Sequence, residues 1–130
     1  MLKIGMLGSS ELVVTEELTA KSFGSGELEV YATPAMIALM EETAYTSVSS
    51  ELEAGMGTVG TMLNVKHVAA SPIGMKIKCN TELIEIDGRR LVFHVEAFDE
   101  KGLIGEGTHE RFIIQNEKFQ SKTDAKLEAK

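Results

Sequence analysis

The chain has few aromatic residues and a single cysteine. Tyrosine, phenylalanine and tryptophan together make up 5% of the 130 residues, and tryptophan is absent. A hydrophobic core must therefore be built from aliphatic side chains, alanine and methionine. Because Cys79 is the only cysteine, the chain can form no internal disulfide and no cysteine-rich metal motif. A lone thiol fits a reducing compartment, so we expect a cytoplasmic protein.

Positive charge and long apolar runs are also scarce. The chain has 13 lysines and arginines against 20 aspartates and glutamates, a formal net charge of −7. Nucleic-acid-binding proteins present a basic face, so we expect no nucleic-acid partner. The first residues lack the apolar stretch of a signal peptide, and no apolar run is long enough to cross a bilayer. We therefore expect no membrane partner.

The remaining pattern predicts a single α+β domain over residues 1–130, with a polar tail from about 120 to 130 that frays. Residues 9–18 are predicted to form a first strand, and a helix is predicted from Pro34 to a stop near Gly55. Four further strands are predicted at 57–68, 75–86, 90–99 and 104–116. The turn sequences IDGRR and DEKG predict tight hairpins and hence antiparallel neighbours.

The predicted helix ends its apolar run in two adjacent glutamates. Thr33 suits the N-cap position and Pro34 the first turn. With Met36 at zero on a helical wheel, Glu41 falls at about 140°, at the margin of the apolar stripe, and Glu42 at about 240°, facing outward. Glu41 either extends to water from that margin or lines a cleft as a carboxylate whose pKa is tuned by partial burial.

The strands carry further candidates with two interpretations each. Alternation places His67 on the more apolar face of the 57–68 strand and Gly60 on the other face. His67 is either a structural hydrogen-bonding residue or part of a site, and no second histidine or cysteine lies at metal-ligand spacing, so we expect no metal. His109 and Arg111 share a face. A charged pair in this stretch is either a solvated or interface salt bridge, or Arg111 instead recognises an anionic or polar substrate group.

Several motifs occur in an order that resembles a known family. They are YATPAM, ALMEE, GTVGT, KHVAASPIG, DGRRL and GTHERF, and they span roughly residues 30–119. Together they resemble the hot-dog-fold acyl-CoA thioesterases, most closely the fluoroacetyl-CoA thioesterase-like subgroup. The resemblance implies one long central helix wrapped by an antiparallel sheet, and a homodimer or dimer of dimers with a cleft between protomers. It also implies hydrolysis of an acyl-CoA without a cofactor, since CoA is part of the substrate.

The same resemblance implies the functional residues, motif by motif. The catalytic trio of the subgroup falls on Thr33, Glu41 and His67. Positions that lie near substrate or CoA fall on Gly60, Gly74 and Arg111. Glu41 would act as general base on water or on the Thr33 hydroxyl, and His67 would assist proton transfer to the departing thiolate or orient Glu41.

Two other functions compete with hydrolysis. A hot-dog domain can bind acyl-CoA without catalysis, as a sensor or carrier, and hydratases and dehydratases share the fold. The resemblance does not extend to the first 29 residues, in which no motif of the subgroup is recognised. We therefore expect a thioesterase for small or short-chain acyl-CoA rather than a specialist for a halogenated acid.

Overall fold

One helix of 17 residues packs against a five-stranded antiparallel sheet in the computed structural model, which describes residues 1–128. The strands are β1 (Leu7–Val13), β2 (Met56–His67), β3 (Lys76–Asp87), β4 (Arg90–Asp99) and β5 (Gly102–Gln115). The α-helices are α1 (Ala20–Phe23), α2 (Thr33–Ser49) and α3 (Asn116–Asp124), and short 3-10 turns cover Glu16–Leu18 and Ala125–Leu127. This arrangement confirms the predicted α+β class.

The strand order is β1-β3-β4-β5-β2, and all pairs are antiparallel. Both predicted hairpins are confirmed, since Asp87 pairs with Arg90 and Asp99 with Gly102, each across a two-residue connection. Gly88 has a φ of 62°, which the first of these turns requires. The last three strands therefore form a meander, while β2 lies beyond β5 and, like β1, is an edge strand of the sheet formed by residues 1–128.

The core lies between α2 and the concave face of the sheet. Helix α2 buries one stripe, formed by Ala35, Met36, Leu39, Met40, Thr43, Ala44 and Val48. The sheet contributes mainly aliphatic side chains, among them Ile77, Leu83, Leu91, Val95 and Ile104, together with Phe93. Glu41 lies at the margin of the stripe with 37% of its side chain exposed, and Glu42 is exposed, as the helical wheel predicted.

The ends of α2 differ from the predictions. Thr33 is the first helical residue and not the N-cap, because Ala32 holds the extended cap conformation (φ −72°, ψ 136°) and makes no side-chain cap bond. The helix ends at Ser49, well before Gly55. In the last turns, hydroxyl groups donate to preceding carbonyl oxygens, as Ser47 does to that of Ala44, and such bonds weaken continuation of a helix. Gly55 (φ 83°) instead turns the chain into β2.

The two chain ends also differ from expectation. The first strand is Leu7–Val13 rather than 9–18, and Glu16–Leu18 forms a 3-10 turn. At the other end, Asn116–Asp124 forms a helix whose first turn is capped by the side chain of Gln115, and all of its residues are exposed or partly exposed. Within residues 1–128 no helix combines the length and the apolar character needed to cross a bilayer. The tail prediction for residues 129 and 130 lies outside the described residues.

Candidate active site

The first group of site residues joins the start of α2 to the end of β2. The Thr33 hydroxyl oxygen lies 2.8 Å from Nδ1 of His67. Because Thr33 caps no helical N–H, its hydroxyl is available to the imidazole. The pair lines an open cleft of about 290 Å³, whose other walls come from Ala20, Ser25, Val30, Tyr31 and Val68–Ala70.

The imidazole of His67 is held in a partly apolar environment. Burial lowers the pKa of His67, so the ring is neutral at neutral pH and can take a proton from the hydroxyl group. The edge of the Tyr31 ring packs against it at 6.3 Å between centroids. Its Nε2 atom is buried and has no hydrogen-bond partner among the described residues. Leaving such an atom unpaired is costly, so water or a bound molecule is expected to supply its partner.

The second group surrounds Glu41, two turns further along α2. Arg111 of β5 places Nη1 at 3.2 Å from Oε2 of Glu41. The same guanidinium donates through Nε to the Thr58 hydroxyl at 2.8 Å and through Nη2 to the Thr58 carbonyl at 3.0 Å. Only 7% of the Arg111 side chain is exposed. Burial lowers the pKa of Arg111 and Glu41 opposes this effect, but an arginine remains charged in either case.

Gly60 lies directly beneath this ion pair. A Cβ atom at this position would overlap Oε2 of Glu41 and lie 3.2 Å from Nη1 of Arg111. Gly60 pairs with Arg111, and Leu63 pairs with His109, across a β-bulge between Gly60 and Met62. The bulge adds one residue, so Gly60 turns to the same face as Leu63. The prediction from alternation that Gly60 faces away from His67 is therefore wrong.

The structure thus divides the predicted residues into two groups. Thr33 contacts His67, whereas Glu41 contacts Arg111 and lies over Gly60. Thr33 and Glu41 lie eight positions apart on α2, a rise of about 12 Å, so the two groups lie at different places along the helix.

Gly74 was predicted to lie near substrate or CoA, whereas two residues that were not predicted contact Arg111. Gly74 adopts a φ of 96° in a turn, its N–H donates to the Val14 carbonyl at 2.8 Å, and it joins neither group. Neither Thr58 nor His109 is among the site residues predicted from the sequence, although both contact Arg111. Only the GTHERF motif indicated His109, by placing it on the face of Arg111.

One cluster outside both groups carries metal-ligand atoms. His94, Glu96 and Glu106 offer ligand atoms within 4.8 Å of one another, and Nε2 of His94 lies 3.3 Å from the Glu96 carboxylate. Glu96 pairs with Glu106, and the neighbouring pair is His94 with Thr108, across β4 and β5 on the outer face of the sheet, away from α2. We assign the cluster no role in the site.

The helix wrapped by an antiparallel sheet defines a hot-dog-fold protein. A hot-dog-like protein from Thermanaerovibrio acidaminovorans superposes with a TM-score of 0.90 over 99% of this chain and 96% of its own, at 19% sequence identity. A family model described as "Fluoroacetyl-CoA-specific thioesterase" matches residues 14–117. The chain therefore belongs to the fluoroacetyl-CoA-specific thioesterase family. The family model matches from residue 14, whereas the resemblance of the sequence motifs began at about residue 30.

Individual relatives agree with this assignment. The fluoroacetyl-CoA thioesterase of Streptantibioticus cattleyicolor is 43% identical over 101 residues, which are 78% of this chain and 73% of that protein. A solved structure of the fluoroacetyl-CoA thioesterase FlK has a TM-score of 0.92 at 36% identity, covering 98% of this chain and 99% of its own. A variant of FlK in complex with acetyl-CoA gives the same TM-score at 34% identity, covering 98% and 100%.

Proposed function

We propose that this protein is a thioesterase that hydrolyses a small or short-chain acyl-CoA to the free acid and CoA. The observation that carries the proposal is the 2.8 Å contact between the Thr33 hydroxyl and Nδ1 of His67 at the wall of a cleft. A hydroxyl group held by a neutral imidazole is the usual arrangement for activating a nucleophile, whether the hydroxyl itself or a water beside it. The names of the relatives, which include complexes with acetyl-CoA, support this substrate class.

The proposed roles follow from the two groups. Glu41 is the general base that takes the proton from water or from the Thr33 hydroxyl, and the neutral His67 ring accepts that proton and passes it to the departing thiolate, so that both residues end the cycle in their starting states. Arg111 pairs with the Glu41 carboxylate and fixes its direction, and Gly60 leaves room for it. CoA enters only as part of the substrate, and we propose that no further cofactor takes part. Hydrolysis that persists after dialysis against a chelator would support that point.

We further propose that the working unit is a homodimer. Thr33 and Glu41 lie about 12 Å apart along α2, and Thr33 contacts His67 whereas Glu41 lies over Gly60, so within one chain the two groups lie at different places along β2. Strand β2 carries Gly60 near one end and His67 at the other, and its outer edge is unpaired within residues 1–128. Antiparallel pairing of two β2 edges would carry His67 of one copy toward Gly60 and Glu41 of the second copy.

A panel of acyl-CoA esters tests the activity. Acetyl-, fluoroacetyl-, propionyl- and butyryl-CoA are incubated with the protein, free thiol is measured, and crotonyl-CoA serves as an enoyl control for hydration. We expect thiol release from at least one saturated ester and no hydration of the control. Binding of the esters without thiol release would instead identify a non-catalytic acyl-CoA-binding protein. The fluoroacetyl arm decides whether the acyl group is halogenated.

Mixing two inactive variants tests the shared site. Thr33→Ala and Glu41→Gln proteins are unfolded, mixed and refolded together, so that half of the dimers are mixed. In a two-fold dimer with composite sites, each mixed dimer has one intact site, and the mixture recovers roughly a quarter of wild-type activity. Each variant refolded alone is the control. Mixed dimers that form but show no recovery would place the whole site within one chain.

The location of the reaction is part of the same proposal. We place it in the cytoplasm because the single cysteine, Cys79, is a free buried thiol, which suits a reducing compartment. Fractionation of cells that express the full chain, followed by thioesterase assays of each fraction, tests this placement.

A further inference from the structure

The buried histidine of β5 is not among the residues to which the proposed function gives a role. His109 is fully buried, and its ring lies between the Phe93 ring, 6.2 Å away, and the guanidinium of Arg111. Nδ1 lies 2.9 Å from the Met62 carbonyl oxygen, and Nε2 lies 3.1 Å from Nη1 of Arg111. This Nη1 is the same atom that meets the Glu41 carboxylate.

These contacts determine where the imidazole carries its proton. A carbonyl oxygen can only accept, so Nδ1 of His109 must be the protonated nitrogen that donates to Met62. A guanidinium can only donate, so Nε2 must be the acceptor for Nη1 of Arg111. A doubly protonated ring would place a second positive charge 3.1 Å from that of Arg111. The geometry therefore admits one state of His109, the neutral ring with its proton on Nδ1.

The bulge in β2 places the Met62 carbonyl where it can accept from the His109 ring. The irregularity between Gly60 and Met62 breaks the alternation of the strand just where the Met62 carbonyl meets the His109 ring. On the same strand, Thr58 accepts hydrogen bonds from the other two nitrogen atoms of the Arg111 guanidinium, Nε and Nη2. The guanidinium is thus fixed by β2 on one side and by His109 on the other, and only Nη1 faces Glu41.

We propose that His109 is a positioning residue: as a neutral acceptor it holds Nη1 of Arg111 in line with the Glu41 carboxylate. The inference rests on the proposed function in so far as Glu41 takes part in the reaction. The side-chain hydrogen bonds of His109 go to Met62 and Arg111 and not to Thr33 or His67, so its effect on the reaction passes through Arg111.

The surroundings of His109 support the neutral state. The charged and titratable groups that face the pair are Arg111 on β5 and, from α2, Glu41 and Tyr45, whose ring lies 5.5 Å from the Arg111 guanidinium carbon. From β4 the neighbour is Phe93, which carries no charge. Burial, with the adjacent Arg111 charge, lowers the pKa of His109, while the Met62 carbonyl and Glu41 oppose that shift.

Two substitutions separate the two ends of the imidazole. In His109→Asn the amide nitrogen can replace Nδ1 and donate to Met62, but no atom reaches Arg111. In His109→Gln the amide oxygen can replace Nε2 and accept from Arg111. We expect His109→Asn to lower kcat about 10-fold to 100-fold with little change in KM, because the geometry of reaction and not ground-state binding is lost. His109→Gln should stay within about 3-fold of wild type.

A matched control and a second measurement keep the test decisive. His94→Asn makes the same change on the outer face and should leave the rate unchanged. Thermal unfolding shows whether each His109 variant is folded. If the Asn and Gln variants lose activity equally while folded, or if neither loses activity, His109 serves packing alone and the proposal is overturned.

Nitrogen NMR tests the contact without any catalysis. Imidazole ¹⁵N shifts of His109 in the wild-type protein should report the neutral Nδ1–H form from about pH 5 to 8, a range in which an exposed histidine titrates. The Nη protons of Arg111 should exchange faster in His109→Asn than in wild type or in His109→Gln. Titration of His109 at the ordinary histidine pKa, or a proton on Nε2, would overturn the proposal. If the wild type releases no CoA but these spectra are as expected, the thioesterase proposal fails and the Arg111 contact stands.

Discussion

Replacement of Gly60 by alanine tests the position of the Glu41 carboxylate with a single methyl group. The added Cβ would overlap Oε2 of Glu41 and approach both Nη1 of Arg111 and Cε1 of His109, at 3.2 and 3.3 Å. Gly60 has no positive φ, so alanine fits the backbone itself without strain. The atom that must yield is the far end of the flexible Glu41 side chain, so the fold can accept the change while the carboxylate moves.

The size of the effect follows from this geometry. To restore ordinary van der Waals contact the carboxylate oxygen of Glu41 must retreat by about 1 Å. A displacement of that size at a reacting group costs on the order of 10²-fold in rate, or about 2.7 kcal/mol of barrier. An unstrained Gly→Ala change lowers the entropy of the unfolded chain and stabilises by about 0.4–1 kcal/mol, which partly offsets the disturbed ion pair. We therefore expect Gly60→Ala to change the free energy of unfolding by less than about 1 kcal/mol.

The assay compares thiol release from the best acyl-CoA substrate with thermal unfolding of the same samples. Gly57→Ala is the matched control, because it lies on the same strand without a positive φ and its Cβ would meet only the side chain of Asn116. We expect the control to retain nearly full activity. If Gly60→Ala were folded and its kcat/KM lay within about 3-fold of wild type, the position of the Glu41 carboxylate would not matter to the reaction.

Four further predictions concern the proposed catalytic residues. Glu41→Gln should lower kcat by about 10²–10⁴-fold, as expected for loss of a general base, whereas Glu42→Gln, on the exposed face, should not; equal effects would make Glu41 an ordinary boundary residue. Thr33→Ala should abolish most thiol release yet cost no more than about 0.5 kcal/mol in chemical denaturation, because the hydroxyl caps no helical N–H, and Thr33→Ser should retain a measurable share of the rate. The rate should fall on the acid side with a midpoint below the ordinary histidine pKa of 6.5, because burial lowers the pKa of His67 and the reaction needs the neutral ring; a midpoint above 6.5 would contradict this assignment. The free energy of unfolding should also fall as the pH drops below 6.5. His67 is protonated at a higher pH in the unfolded chain than in the folded protein, because burial lowers its pKa in the fold. Urea titrations at several pH values measure this free energy.

The elements with a strong local pattern could be predicted from the sequence. Strand β4 was predicted at 90–99 and is Arg90–Asp99, and both hairpins were placed by their turn residues. The apolar spacing of α2 located Glu41 at the edge of the core and Glu42 outside it. In these places a short stretch of chain contains all the information, because the period of the apolar residues and the turn chemistry are both local.

The errors arose where tertiary contacts override local preference. Thr33 has the chemistry of an N-cap, but the extended conformation of Ala32 begins the helix one residue earlier. Alternation placed Gly60 on the wrong face, because a bulge is invisible in a run of residues that all suit a strand. Arg111 and His109 lie on one face as predicted, yet the sequence could not show that both are buried beside a carboxylate from a helix some 70 residues away.

The bulge also explains how one strand serves both groups of the site. Without an extra residue, Gly60 and His67 are seven positions apart and would face opposite sides of the sheet. With the extra residue, both face α2, where Glu41 and Thr33 lie. The two groups then differ in charge: a neutral hydroxyl and imidazole at one end of the strand, and a carboxylate fixed by a buried guanidinium toward the other. A neutral ring can accept a proton, and a carboxylate held by a guanidinium has a fixed direction, which are the properties that the roles proposed for His67 and Glu41 require.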